Sequence, residues 1–201
     1  MEHPIFGPIE YSKEEWEGEV SVPFFAAYDH PSSFFDTLPA WKHKLIKEGR
    51  FDLVVQDEAG EGPSHEQERA FAHFMANQDA ICAAVVAAIF PYYQKEYKNR
   101  ELTTEGLSKA EMEKLFPAIE GVDGLKRLIR FRTLFVPEGM GQLDEGGTKP
   151  ETWAKLGHWA LFGFAFSCTW DVEHGLGVVF HKDKVVEVGE SGITWNGPGD
   201  V

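Results

Sequence analysis

The densest group of chemically able side chains in the sequence is Asp171-Val172-Glu173-His174-Gly175. Two carboxylates and an imidazole at this spacing are the residue types that ligate a divalent metal or exchange protons as general acid and base. His181 follows closely enough that a hairpin could fold it back toward Asp171, Glu173 and His174. The same residue types are also what a tight exposed turn selects, because Gly accepts positive φ and Asp bonds nearby backbone N–H groups. The turn is the preferred reading. Its rival is a metal-binding protein or metal-assisted hydrolase that uses Asp171, Glu173, His174 and His181 as ligands.

Other polar groups carry less. His65, Glu66, Glu68 and His73 lack the His-Glu-x-x-His spacing that sets two imidazoles on one helix face beside a base, and they read as the solvated flank of a helix start. Lys126, Arg127, Arg130 and Arg132 form the main basic concentration, with Arg130 and Arg132 on one face of a strand, where they could hold a carboxylate or phosphate of a partner. Gly175-Leu176-Gly177 lacks a third glycine and leads into a strand, and Gly139-Met140-Gly141 precedes no convincing helix, so phosphate-loop signatures fail. There is no Gly-x-Ser-x-Gly elbow. Cys82 and Cys168 each sit inside an apolar run, which predicts two buried thiols and neither a disulfide nor a metal clip. These absences point away from an enzyme, and no cofactor is expected.

The elements that must hold these residues are an antiparallel sheet and a long helix. His3 to Ile9 contains two prolines and Trp16 to Val22 alternates, which predicts an N-terminal hairpin. An irregular aromatic connection from Phe24 to Trp41 leads into a short helix over Pro39 to Lys47, and Phe51 to Val55 reads as a strand. Ser64-His65-Glu66-Gln67 has the spacing of a capping box, after which Phe71, Phe74, Met75, Gln78, Cys82, Val85 and Ile89 draw one stripe down about seven turns. Pro91 should kink or restart that helix. Ser108 to Glu111 repeats the capping box before a short helix that Pro117 stops.

Ile129 to Val136 is a strand, followed by a Gly-rich loop to Pro150. Trp159 to Trp170 carries Phe162, Phe164, Phe166, Cys168 and Trp170 on one face and Leu161, Gly163, Ala165 and Ser167 on the other. The thin face predicts close packing of the alanine-rich segment Ala83 to Ala88 over Gly163 and Ala165. Gly175 to His181 and Lys184 to Gly189 complete a meander around Lys182-Asp183, and the tail from Ile193 to Val201 is expected to fray. The whole reads as one α+β domain over residues 1–201, an antiparallel sheet packed on one long central helix.

Composition narrows the function classes. With 33 acidic against 19 basic residues the net charge is −14, which disfavours nucleic acid and anionic membranes and favours a basic protein partner. The 43% hydrophobic and 13% aromatic content supplies a sizeable core and excludes disorder. The Met1-Glu2-His3-Pro4 start lacks the features of a secretory signal, and the longest apolar run, Ile81 to Phe90, is short for a bilayer, so the expected location is the cytoplasm.

Phe166-Ser167-Cys168-Thr169-Trp170-Asp171-Val172-Glu173-His174-Gly175-Leu176-Gly177-Val178, with Val185 to Gly189 after it, resembles a family of bacterial proteins of unknown function that share a Trp-Asp-x-Glu-His-Gly-Leu-Gly-Val hairpin. Phe6-Gly7 and the stretch from Trp16 to Phe25 look like that family's opening strands. Relatives in the family are often encoded near polymorphic toxins, so the resemblance implies an immunity or accessory role. It also implies that Asp171, Glu173, His174, Gly175 and Gly177 serve a fold-defining turn or a binding site. The leading expectation is a non-enzymatic, acidic protein-binding module that covers a basic toxin domain. Asp171, Glu173, His174, Arg130 and Arg132 are its candidate contacts, and a homo-oligomer paired through an exposed strand edge is a third possibility.

Overall fold

The computed structural model describes residues 1–28, 40–103, 106–138 and 161–196. The Gly-rich loop expected to Pro150, the start of the strand expected at Trp159 and the first residue of the helix expected at Pro39 lie outside them. The described chain is α+β, built on an eight-stranded sheet whose strands lie side by side in chain order. These are β1 (Glu2–His3), β2 (Gly7–Ser12), β3 (Glu15–Ser21), β4 (Arg50–Gln56), β5 (Ile129–Val136), β6 (Leu161–Cys168), β7 (Leu176–His181) and β8 (Lys184–Gly189). Neighbours run antiparallel except β4 and β5, which are parallel, with Leu53 opposite Leu134 and Val55 opposite Val136. The sheet is therefore largely antiparallel, as the sequence suggested, with one parallel pair that makes it mixed. A parallel pair needs a long crossover, and the helical middle of the chain is that crossover.

Helix α1 spans Ala40–Lys47. Helix α2 (His65–Ala76) starts at the expected capping box: the Ser64 hydroxyl accepts from the Gln67 amide N–H at 3.3 Å and the Gln67 side chain accepts from the Ser64 N–H at 2.8 Å. The apolar stripe does not continue as one helix. It breaks at Asn77, where α3 (Gln78–Thr103) leaves at 88° to α2. Asn77 caps α2 by bonding the carbonyl of His73 through both its backbone N–H and its side-chain amide, while the Gln78 side chain reaches the carbonyl of Ser21 in β3. Helix α3 continues through Pro91 without a restart, with Ile89 and Tyr93 on either side of the proline buried in the core. Helix α4 (Lys109–Leu115) carries the second capping box, and the Tyr93 hydroxyl donates to the carbonyl of Pro117 just beyond it at 2.6 Å. Among the described residues no single helix is long and apolar enough to cross a membrane.

The helices cover the aromatic face of the sheet. Phe74 of α2 lies 5.7 Å from the rings of Phe162 and Phe164, Phe25 lies 4.8 Å from Phe131, and Tyr93 of α3 lies 4.8 Å from Trp170. Ile81, Cys82, Val85, Val86 and Ile89 of α3 join the same buried cluster. The alanine segment therefore does not reach Gly163 and Ala165. Ala83 and Ala87 point outward, because the Phe162–Phe164–Phe166 face offers far more apolar area to bury.

The thin face is filled from the C-terminus instead. The first four residues of the tail expected to fray form a short helix, α5 (Ile193–Asn196), with Thr194 buried; residues 197–201 lie outside the described ones. It lies on three glycines in adjacent strands: a Cβ at Gly163 would come within 2.6 Å of the Thr194 Cβ, one at Gly177 within 2.8 Å of Ile193 Cγ1, and one at Gly189 within 3.5 Å of Ile193 Cδ1. The missing side chains leave room for one helical turn to lie directly on the strands. Replacing Gly163 with Val should cost about 1–3 kcal/mol by overpacking. Urea unfolding should show that loss together with faster amide exchange over residues 190–196; unchanged stability would mean that α5 does not need the glycine floor.

Candidate functional site

The turn between β6 and β7 is held by its own backbone. The Asp171 carbonyl accepts from the Gly175 N–H at 3.0 Å and from the Cys168 thiol at 3.3 Å, and the Asp171 Oδ1 accepts from the His174 N–H at 2.9 Å. Gly175 sits at φ +69°, and a Cβ there would lie 2.7 Å from the Phe166 carbonyl oxygen. The His174 Nδ1 lies 3.2 and 3.3 Å from the two Asp171 oxygens. These contacts explain why Asp171, His174 and Gly175 stand where they do.

A third ligating group arrives from β8. Gly189 pairs with Gly177, so the next residue, Glu190, falls beside the turn, and ligand atoms of Asp171, His174 and Glu190 all lie within 4.8 Å of one another. Ser191 then donates its N–H and its hydroxyl to the His174 carbonyl. Glu190 was missed in the sequence, although counting the hairpin register back from Lys182-Asp183 brings residue 190 close to Gly175. Glu173 is exposed and stands outside the group. His181 does not fold back: it ends β7 six residues past Gly175, about 20 Å along an extended strand. It is 8% exposed, so the expected set that included Glu173 and His181 is replaced by Asp171, His174 and Glu190.

A second place with chemical capacity lies on the outer face of the sheet. A bulge in β5 between Phe131 and Thr133 sets two residues against the β6 ladder, so Arg132 and Thr133 both turn outward. Arg130 shares that side but is 6% exposed, opposite Ser167, and burial lowers its guanidinium from the ordinary value. Arg132 is exposed at the rim of a cavity of about 310 Å³. The cavity floor is the small apolar cluster Val54, Phe135 and Ala165, and its walls include Glu15, Glu17, Lys42, Asp52 and Ser191. Lys42 pairs with Asp52 at 2.8 Å, and Glu19 next along β3 pairs with Arg50. Glu15 and Glu17 enter no ion pair among the described residues. Burial, then the charge of Glu17, raises the Glu15 carboxyl above its usual range, against the smaller pull of Lys13.

Strand β3 is anchored beside this wall by Asp57. Its carboxylate accepts from Trp16 Nε1 at 2.8 Å, from the Gly60 N–H at 2.9 Å and from the Gly62 N–H at 2.7 Å. Burial alone would raise the Asp57 carboxyl, but these donors outweigh it and the net shift is downward. Both cysteines are free and buried, and burial pushes each thiol up to about 12, which leaves neither as a nucleophile. His65 stands 3.0 Å from Glu68 within the first turn of α2, and His73 in its last turn ties the helix to the β7–β8 hairpin, with Nε2 3.1 Å from Asp183.

The chain belongs to a family described as a domain of unknown function, DUF6985, whose model matches residues 32–145 and 152–195. Asp171, His174 and Glu190 fall within the matched residues, and Glu15 and Glu17 precede them. No curated protein and no solved structure matches the chain.

The close approach at Gly175 makes a sharp prediction. Gly175→Ala should lose about 1–3 kcal/mol in equilibrium unfolding, since it combines left-handed strain with contact to the Phe166 carbonyl. Gly192→Ala, where a Cβ meets nothing within 4 Å, should be close to neutral. Equal effects at the two positions would remove the turn's claim to a defined geometry.

Proposed function

We propose that this chain is a non-enzymatic, acidic protein-binding module of immunity type, and that it engages a basic partner through the outer face of the sheet around Glu15 and Glu17. The observation that carries the reading is that two carboxylates of the wall, Glu15 and Glu17, enter no ion pair among the described residues and stand beside an apolar floor of Val54, Phe135 and Ala165. A lysine or arginine side chain fits such a site, because its aliphatic stem lies on apolar surface while its charged head meets carboxylates. The net charge of −14 adds long-range attraction for a basic protein, which raises the association rate and fades with salt. A toxin domain with a basic active surface is a partner of this chemistry, and its neutralisation requires only that the acidic face cover it. A second reading, metal binding at the 171–175 turn, is favoured by the approach of Asp171, His174 and Glu190 and does not depend on the acidic cavity.

The test is affinity capture from the source cells at low and physiological salt, with the wild-type chain and a Glu15→Lys/Glu17→Lys double variant. The wild type should retain a basic protein whose recovery falls as salt rises, and that protein should harm cells lacking this chain. The double variant should bind it at least about tenfold more weakly, equivalent to about 1.4 kcal/mol, with an unchanged melting temperature. A partner retained equally by both, or one indifferent to salt, would contradict the reading.

A further inference from the structure

We propose that Asp171, His174 and Glu190 form a binding site for a first-row divalent cation, which clamps the β6–β7 turn to the segment leading into α5. The three side chains are of mixed type, one imidazole and two carboxylates, and come from two segments joined only through the β7–β8 hairpin. This donor set suits zinc or manganese, which accept His nitrogen and carboxylate oxygen together. The 3.2 Å between His174 Nδ1 and Asp171 Oδ1 matches the edge of about 3.3 Å between two ligands placed tetrahedrally at zinc distances. With every ligand atom within 4.8 Å, only a small movement of the exposed Glu190 side chain completes three-point coordination. The remaining positions open to solvent, since His174 is 55% exposed.

Charge balance argues the same way. Asp171 and Glu190 bring two carboxylates together, and among the described residues neither meets a lysine or arginine; His174 is an ion-pair partner of Asp171 alone, and only when protonated. Like charges held this closely are unfavourable unless a cation joins them. The backbone frame is in place before any ion arrives, because Ser191 already holds the His174 carbonyl and Gly175 fixes the turn. Glu190 also precedes α5, which lies on Gly163, Gly177 and Gly189, so an ion here fixes the end of the chain against the sheet. This deepens the metal-binding reading and is independent of the acidic cavity.

The experiment is titration of the full chain, stripped of metal by chelator, with zinc and separately with manganese, followed by calorimetry and by amide exchange. At least one ion should bind at one per chain and slow exchange over residues 190–196. His174→Ala and Glu190→Gln should each weaken binding at least tenfold while both variants still unfold cooperatively without metal; Glu173→Gln should bind as the wild type does. No saturable uptake of either ion, or uptake that survives both His174→Ala and Glu190→Gln, would overturn the proposal. Neither result bears on salt-dependent capture of a protein partner, so the two functions are judged separately.

Discussion

The side-chain amide of Gln67 donates to the carbonyl of Gln56 at 2.7 Å and to that of Val136 at 3.1 Å, joining the last residues of β4 and β5. These strands form the parallel pair of the described sheet, and their ladder ends at Val55 and Val136. At its end the carbonyls of Gln56 and Val136 both turn to Gln67, which is 3% exposed. An unmet buried carbonyl costs about 1–3 kcal/mol, so a single primary amide satisfies two groups that no strand can reach. The same residue completes the capping box with Ser64, so the start of α2 and the end of the parallel pair are fixed together. Everything on the N-terminal side, β1 to β4, is one antiparallel meander, and everything from β5 onward is another. Gln67 stands at their seam.

The two faces of the sheet follow from that seam. On the covered face, Phe131, Phe162, Phe164 and Phe166 meet Phe25, Phe74 and the apolar side of α3 in one continuous cluster. On the other face the strands diverge in character. Gly163, Gly177 and Gly189 make a shallow bed for α5, while Val54, Phe135 and Ala165 make an apolar floor whose acidic wall belongs to the first meander. Glu15 and Glu17 come from β3, whereas Phe135 and Ala165 come from β5 and β6. The cavity exists only because the parallel seam sets the two meanders edge to edge.

Features that depend on near neighbours were legible in the sequence. Both capping boxes, the strands from Ile129, Gly175 and Lys184, and the alternation of Phe162, Phe164 and Phe166 rest on local spacing, and each is present. Features set by distant partners were not. The apolar stripe runs past Asn77 without a gap, so the bend becomes visible only once Gln78 reaches β3. The direction of β5 relative to β4 is decided by a crossover of some seventy residues, in which no local pattern records the outcome. The thin face of β6 was read correctly as thin, yet its occupant is a turn of the C-terminal segment, whose short apolar pattern resembles a loose end. Asp171 and His174 were found and Glu190 was not, because it is distant in sequence from the turn and reaches it only through the pairing of β8 with β7. The alternating acids of β3 look in sequence like any solvated face, and only the apolar floor beside them marks a cavity.

The central claim is that the seam between the two meanders is held by one buried amide, and equilibrium unfolding of Gln67→Met tests it most directly. Methionine keeps the length of the side chain and removes both donors to the strand carbonyls. The account predicts a loss of about 2–4 kcal/mol, clearly greater than that of Ser64→Ala, which removes the cap alone at about 1 kcal/mol. A loss no larger than that of Ser64→Ala would show that the parallel pair closes without Gln67 and that the seam is held by strand packing instead.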